Sequence, residues 1–163
     1  LVVVFAVIGL VLPKDYDVER TIVIDAPPES VHVYVGDLGK WSEWTPWKDS
    51  DPTLSIIVGE QTTGVGASQS WDGEGGDGEL TFTASSPSEG VEYDLLFDNG
   101  AFESVAAVKY KTLNEQETEV RWSMSGEIAT PIIGGYFALM MDAMVGEMFD
   151  QGLDELKRRV EAH

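Results

Sequence analysis

From residue 53 onward the chain reads as six short alternating segments followed by one long helix, and that order leaves few folds open. The segments are TLSIIVG (53–59), ASQSWDG (67–73), GELTFTAS (78–85), GVEYDLLF (90–97), AFESVAAVKYKTL (101–113) and TEVRWSMSGEI (118–128). Gly-, Asp-, Asn- or Pro-containing turns divide them at hairpin spacing, which predicts an antiparallel meander. Gly134 to Ala162 then carries an amphipathic helical pattern. Lys157, Arg158 and Arg159 stand in its last turns, where cations suit the helix dipole. At 1.5 Å per residue such a helix is roughly 43 Å long, enough to cross a whole sheet. A twisted antiparallel sheet must bury one face, and this helix is the one long element available to cover it. A curved sheet wrapped around a single helix leaves space between the layers. The pattern therefore predicts an α+β fold of about seven antiparallel strands with an internal cavity.

The seventh strand comes first in sequence, at Tyr16–Ile24 (YDVERTIVI). Asp25-Ala26-Pro27-Pro28-Glu29 stops it and opens a short helix through Leu38, since proline suits a first helical turn and an early Glu suits the dipole. Gly39 ends that helix. WSEWTPW (41–47) follows as a second short helix or turn and holds three of the five tryptophans. Trp44 and Trp47 are expected to plug the corner where the chain enters the sheet, with Pro46 fixing the turn. Trp41 is placed near the mouth of the cavity.

The first twelve residues, LVVVFAVIGLVL, are wholly apolar and end at Pro13. A helix of that length spans about 18 Å, against a hydrocarbon core of roughly 30 Å. The chain does not start with Met, so residues 1–13 are read as the end of an N-terminal membrane anchor, with residues 15–163 as the folded domain. A signal-peptide remnant and a core strand are the competing readings; no small-x-small cleavage site precedes the domain. The expected location is a membrane, on a side the sequence does not specify.

With 29 acidic and 10 basic residues the formal net charge is −19. Such a surface repels phosphate backbones, which disfavours nucleic acid as a partner. There is no cysteine, so disulfides, thiolate metal sites and cysteine nucleophiles are excluded.

Strand alternation assigns the inward face. It holds Gln69 and Trp71; Leu80, Phe82 and Ala84; Val91, Tyr93, Leu95 and Phe97; Phe102, Ser104, Ala106, Val108 and Tyr110; and Val120, Trp122 and Met124. On the long helix Phe137, Met141, Met144, Met148 and Leu156 share a stripe, widened by Met140, Val145 and Phe149. The expected ligand-binding set is Gln69, Trp71, Phe82, Tyr93, Phe102, Ser104, Tyr110, Trp122, Met124, Phe137, Met141, Met144 and Met148. Adaptable methionines suit an apolar pocket, and they equally suit ordinary core filling.

Little points to catalysis. Gly73-Glu74-Gly75-Gly76-Asp77-Gly78 fits G-x-G-x-x-G, yet its acids would repel a pyrophosphate and a strand follows it, so it reads as a solvated turn. Its carboxylates lack the spacing of a calcium loop. His32 and His163 are the only histidines and neither lies in a metal or nucleophile motif. No metal, cofactor or catalytic residue is assigned. If there is a reaction, Tyr93, Tyr110 and His32 are the groups that could move protons.

The run VERTIVIDAPPESVHVYVGDLGKWSEWTPW resembles the opening of the polyketide cyclase/dehydrase branch of the START-like superfamily, also called SRPBCC or helix-grip. Asp25, Ala26, Pro27, Val31, Asp37, Trp41, Trp44, Pro46 and Trp47 carry the likeness. Asp51-Pro52, Gly64-x-Gly66, Trp71, the T-E-V-x-W strand and the closing G-L-D-E-L-K extend it from about residue 15 to the end. The resemblance implies a helix-grip fold with a deep hydrophobic cavity between sheet and C-terminal helix. Members of that superfamily include lipid and sterol carriers, plant hormone binders, polyketide aromatases and cyclases, and bacterial proteins with N-terminal hydrophobic anchors. His32 departs from the pattern, at a position where a large apolar residue is expected. The shared residues are structural and transfer no catalytic role. The resulting expectation is a binder or carrier of a hydrophobic small molecule of lipid, sterol or polyketide type. A cyclase or dehydratase and an interaction module with a filled core are the alternatives.

Overall fold

The computed structural model describes all 163 residues. Helix α1 spans Val2–Val11, strand β1 Asp15–Ile24 and helix α2 Pro28–Val35. A 3-10 turn covers Leu38–Glu43 and a one-turn helix, α3, covers Trp47–Ser50. The strands that follow are β2 (Ser55–Val58), β3 (Ser68–Asp72), β4 (Gly78–Ser86), β5 (Gly90–Phe97), β6 (Phe102–Asn114) and β7 (Glu117–Glu127). Helix α4 closes the chain at Ile133–Glu161. The predicted elements are all present, with ends displaced by a few residues.

One antiparallel sheet is formed in the order β1-β7-β6-β5-β4-β3-β2. Five strands follow their neighbours through hairpins, and β1 joins the far edge by pairing with β7 from Asp15↔Glu127 to Ile24↔Thr118. Irregularities at Phe82/Ala84 and Thr112/Asn114 interrupt the ladders. Bulges of this kind increase twist and bend a sheet, here around α4. The fold is α+β, as the sequence pattern predicts, and of the helix-grip type that the resemblance implies.

The tryptophan corner is built on the end of α2. A helix C-terminus leaves carbonyls without intrahelical partners. Trp41 donates its indole N–H to the Val35 carbonyl (2.8 Å), and Trp44 donates to that of Tyr34 (3.3 Å). The two rings meet at 5.2 Å and both are sealed from solvent. Trp44 is the plug the sequence predicts. Trp41 borders the cavity as expected but from the sealed bottom of the corner, 1% exposed, and Trp47, which also packs on Trp122, is half-buried and borders the cavity too. The reason is the Val35 hydrogen bond, which draws Trp41 inward, while Trp47 starts a separate helical turn after Pro46.

Helix α4 lies chiefly along β1. Arg20 on β1 reaches Asp142 (3.0 Å) and Asp150 (3.3 Å) on the helix. Its buried side consists of Gly134, Gly135, Ala138, Val145, Gly146, Phe149, Gly152, Leu153, Leu156 and Val160. Small residues decide this face. A Cβ on Gly152 would stand 2.8 Å from the Trp122 ring, and one on Gly146 would meet the Arg20 guanidinium. The helix can therefore approach the sheet only with these glycines beneath it. That turns Phe137 and Met144, expected inside, to the solvent side, 50% and 52% exposed. Met141 and Met148 fall at the boundary of the two faces.

Phe102, also expected inside, is 36% exposed, because it sits at the first position of β6, beyond the cover of the helix. The N-terminal segment is helical, and all residues of α1 but Ala6 and Gly9 are exposed. It rests on α4 through Phe5, whose ring stacks on Tyr136 at 4.4 Å, and the Tyr136 hydroxyl donates to the Phe5 carbonyl (2.8 Å). No helix is long and apolar enough to cross a membrane.

Trp122 is fully buried, where β7, α4 and the corner meet. It stacks on Phe149 (4.1 Å, 9° between planes) and packs on Trp41, Trp44 and Trp47. Loss of a buried aromatic costs about 3–5 kcal/mol, whereas exposed substitutions lie within about 0.5 kcal/mol. Urea unfolding should therefore show Trp122→Ala destabilised by about 3–5 kcal/mol and Phe102→Ala within about 0.5 kcal/mol of the unmodified protein.

Candidate functional site

Between the sheet and α4 lies a cavity of about 340 Å³, inside the roughly 300–1,000 Å³ range of small-molecule sites, at its lower end. Its floor is the concave side of the sheet. The register aligns Gln69 with Leu80 and Leu80 with Leu95, so three side chains cross β3, β4 and β5 in one row. Tyr93 lies two residues along β5, and Met124 comes from β7. Met141, Val145, Met148 and Phe149 of α4 form the roof. Trp41 and Trp47 close one side. Trp71 and Phe97, with ring centroids 5.8 Å apart, line another.

The mouth is framed by the α3–β2 loop and the β3–β4 hairpin, through Ser50, Asp51, Leu54, Gly75 and Gly76. Asp51 clasps the two. One carboxylate oxygen accepts from the Thr53 N–H (3.0 Å) and the Thr53 hydroxyl, and the other accepts from the Gly75 N–H (3.1 Å). The Thr53 hydroxyl oxygen accepts in turn from the Glu74 N–H (2.9 Å). These bonds to its charged form, the Thr53 hydroxyl first, hold the Asp51 carboxyl below the ordinary carboxylate value. The acidic hairpin read from sequence as a solvated turn is thus one side of an entrance.

Polar groups in the cavity are few. Trp122 donates its indole N–H to the Tyr93 hydroxyl (2.7 Å), and burial pushes the Tyr93 phenol up. Gln69 is 5% exposed and lies in the wall. No lysine, arginine or histidine lines the space.

Of the residues expected to bind ligand, Gln69, Trp71, Tyr93, Met124, Met141 and Met148 are brought together here. Phe82 and Trp122 are sealed in the core behind the wall. Phe82 packs on Trp41 and Tyr93 at 5.9 and 6.3 Å. Phe102, Phe137 and Met144 face solvent. Ser104 points to the concave face but is covered by Tyr16, whose hydroxyl bonds to it across Gly126. Tyr110 sits under α2 instead, its hydroxyl 2.9 Å from His32 Nδ1, while His32 Nε2 is 3.4 Å from the Ser85 hydroxyl. Burial lowers the His32 pKa and raises that of Tyr110. His32, the departure from the family pattern, is therefore a half-buried packing residue with hydroxyl partners. Tyr93, Tyr110 and His32 do not converge on one space.

The site set from sequence omits Trp47, Leu54, Ile56, Leu80, Leu95, Phe97, Val145 and Phe149. Alternation already puts Leu80, Leu95 and Phe97 inside. Leu54 and Ile56 carry a weaker signal, since Ile56 and Ile57 are both apolar and only exposure of Ile57 separates them.

The sequence matches, over residues 16–161, the profile of a family described as polyketide cyclase/dehydrase and lipid transport. No curated protein matches it. Among solved structures, the Zhui aromatase/cyclase from Streptomyces sp. R1128 is similar at a TM-score of 0.62 and 17% identity, with 90% of this chain and 94% of that one covered. A Helicobacter pylori protein is similar at a TM-score of 0.66 and 12% identity, covering 90% and 89%. A Chromobacterium violaceum protein follows at 0.60 and 18%, covering 89% and 96%. At such identities these likenesses establish the shared fold.

The Asp51 clasp has a direct readout. Because the Asp51 pKa is lowered in the fold, its contribution is complete above the ordinary value of 3.8 and is lost as pH falls below it. Amide exchange at Thr53 and Gly75, corrected for intrinsic rates, should be flat from neutral pH down to about 5. In Asp51→Ala it should rise roughly threefold to tenfold, the scale of one or two lost hydrogen bonds.

Proposed function

The chain belongs to the polyketide cyclase/dehydrase and lipid transport family, within the START-like (SRPBCC) superfamily, and from that premise we propose that it binds a single hydrophobic small molecule between sheet and helix. The observation that carries this reading is the cavity of about 340 Å³, 14 of whose 19 lining residues are hydrophobic, most of them aromatic, leucine and methionine. Burial of apolar ligand surface at roughly 25 cal/mol per Å² supplies affinity without charged contacts. A volume at the lower end of the usual range favours one ring system or one short chain over a two-chain lipid. A filled-core interaction module has no use for such a space. The candidate proton-transfer groups are split between the cavity (Tyr93) and the underside of α2 (His32 and Tyr110), which favours binding over a cyclase-type reaction.

The uncharged dye N-phenyl-1-naphthylamine tests this. It should gain fluorescence with one saturable site per chain. Leu54→Trp, which places an indole in the mouth, should weaken binding at least about tenfold, as loss of a few kcal/mol of buried area implies. Equal affinity in the two proteins would remove the cavity as the site.

We also propose that α1 holds the protein against a membrane surface. Its side chains are apolar and mostly exposed, and Ile133, Phe137, Met140 and Met144 continue an exposed apolar strip along the adjoining part of α4. Large exposed apolar patches mark interaction surfaces, and moving exposed apolar side chains from water into the acyl region of a bilayer is favourable. The net charge of −19 gives no attraction to anionic lipid. In flotation assays the protein should rise with neutral phosphatidylcholine vesicles, gain nothing from added phosphatidylserine, and stay at the bottom when residues 1–12 are deleted. Indifference to that deletion would overturn the proposal.

A further inference from the structure

The cavity has an apolar lining with one unspent amide. Gln69 is 95% shielded from solvent, its backbone is tied into the β3 ladders, and its side chain has no hydrogen-bond partner in the protein. Glu43 Oε2 is the one sealed side-chain atom left unpaired, so the Gln69 amide is not sealed: it borders the open space it lines. Amides desolvated without a partner are costly, and buried ones are paired in nearly all folded proteins. A neighbouring group is also half used. The Tyr93 hydroxyl accepts the Trp122 N–H, and its own proton has no acceptor in the protein. The Gln69 amide therefore offers two N–H donors and one carbonyl acceptor, and Tyr93 adds an uncommitted O–H donor, so donors predominate among the polar groups of the lining.

The charges around the space complete the picture. No cationic side chain lines it, and the one charged lining residue is Asp51 at the mouth, whose carboxylate is already committed to Thr53 and Gly75. A carboxylate or phosphate ligand would enter past that charge and find no counter-ion inside, at the full cost of desolvation.

We propose that the ligand is an uncharged apolar molecule bearing a carbonyl oxygen, and that Gln69 is the residue that selects it, with Tyr93 as a second donor. This rests on the cavity being the binding site. A site built to donate to a ligand oxygen discriminates against the analogue that lacks it, because its own buried group is then left unpaired.

Three naphthalenes of like shape separate the possibilities by displacement of N-phenyl-1-naphthylamine: 2-acetylnaphthalene, 2-ethylnaphthalene and 2-naphthoate. Intrinsic hydrophobicity differs among them, so the readout is the change in the ratio of affinities on substitution. In Gln69→Leu the acetyl-to-ethyl ratio should fall roughly threefold to tenfold, the scale of one hydrogen bond. Gln69→Met is the substitute if Gln69→Leu lowers the melting temperature. Naphthoate should bind the unmodified protein at least about tenfold more weakly than the acetyl compound, as an unpaired buried charge requires. An unchanged ratio overturns the role of Gln69 while leaving the cavity as the site. Naphthoate binding as tightly as the ketone overturns the requirement for neutrality. If neither the dye nor any of the three compounds saturates, the binding reading and this inference fail together.

Discussion

The structure turns on the position of Trp122. Its ring lies flat against Phe149 at 4.1 Å, which docks α4 on the sheet, and Gly152 above it is the gap that lets the helix come so close. Three tryptophans from the corner pack against its edges and face. Its N–H is spent on Tyr93, so the cavity wall is fixed to the same residue. Aromatic rings bring large buried area with few rotatable bonds, and a cluster of five is therefore both strong and rigid. The cavity opens beside this cluster: Leu153, Leu156 and Val160 of α4 are sealed in the core, whereas Met141, Val145, Met148 and Phe149 line the space.

The fold was legible because its signals are periodic and redundant. Strand alternation, turn residues at hairpin spacing and one long amphipathic helix all point to the same layered arrangement, and local agreement of that kind marks a foldable sequence. The orientation of α4 was less legible. Reading Phe137, Met141, Met144 and Met148 as the inner stripe follows the bulk of the side chains. The protein follows its glycines instead, since Gly146 and Gly152 mark where Arg20 and Trp122 must pass. A stripe of small residues carries a weaker hydropathy signal than four large ones, although it decides the closest approach.

The site was half legible for the same reason. Alternation tells which face a strand residue takes, and it placed Gln69, Trp71, Tyr93 and Met124 correctly on the concave side. It does not tell how far along the strand the helix covers that face. Phe102, Ser104 and Tyr110 share the inward phase of β6, yet one is beyond the helix, one is covered by Tyr16 and one lies beneath α2. The mouth was not legible at all, because Asp51 reaches Gly75 across 24 positions of chain. No local pattern encodes that contact.

Membership of the family and the apolar cavity place ligand binding at the centre of the account, and the five methionines offer an internal control for it. Met124, Met141 and Met148 line the space; Met140 and Met144 stand on the exposed side of α4. Methyl NMR of methionine-labelled protein, titrated with N-phenyl-1-naphthylamine, reads both groups in one spectrum. The account predicts that the three cavity methyls shift together and saturate while the two exposed methyls stay in place. Shifts confined to Met140 and Met144, with the cavity methyls unmoved, would contradict it.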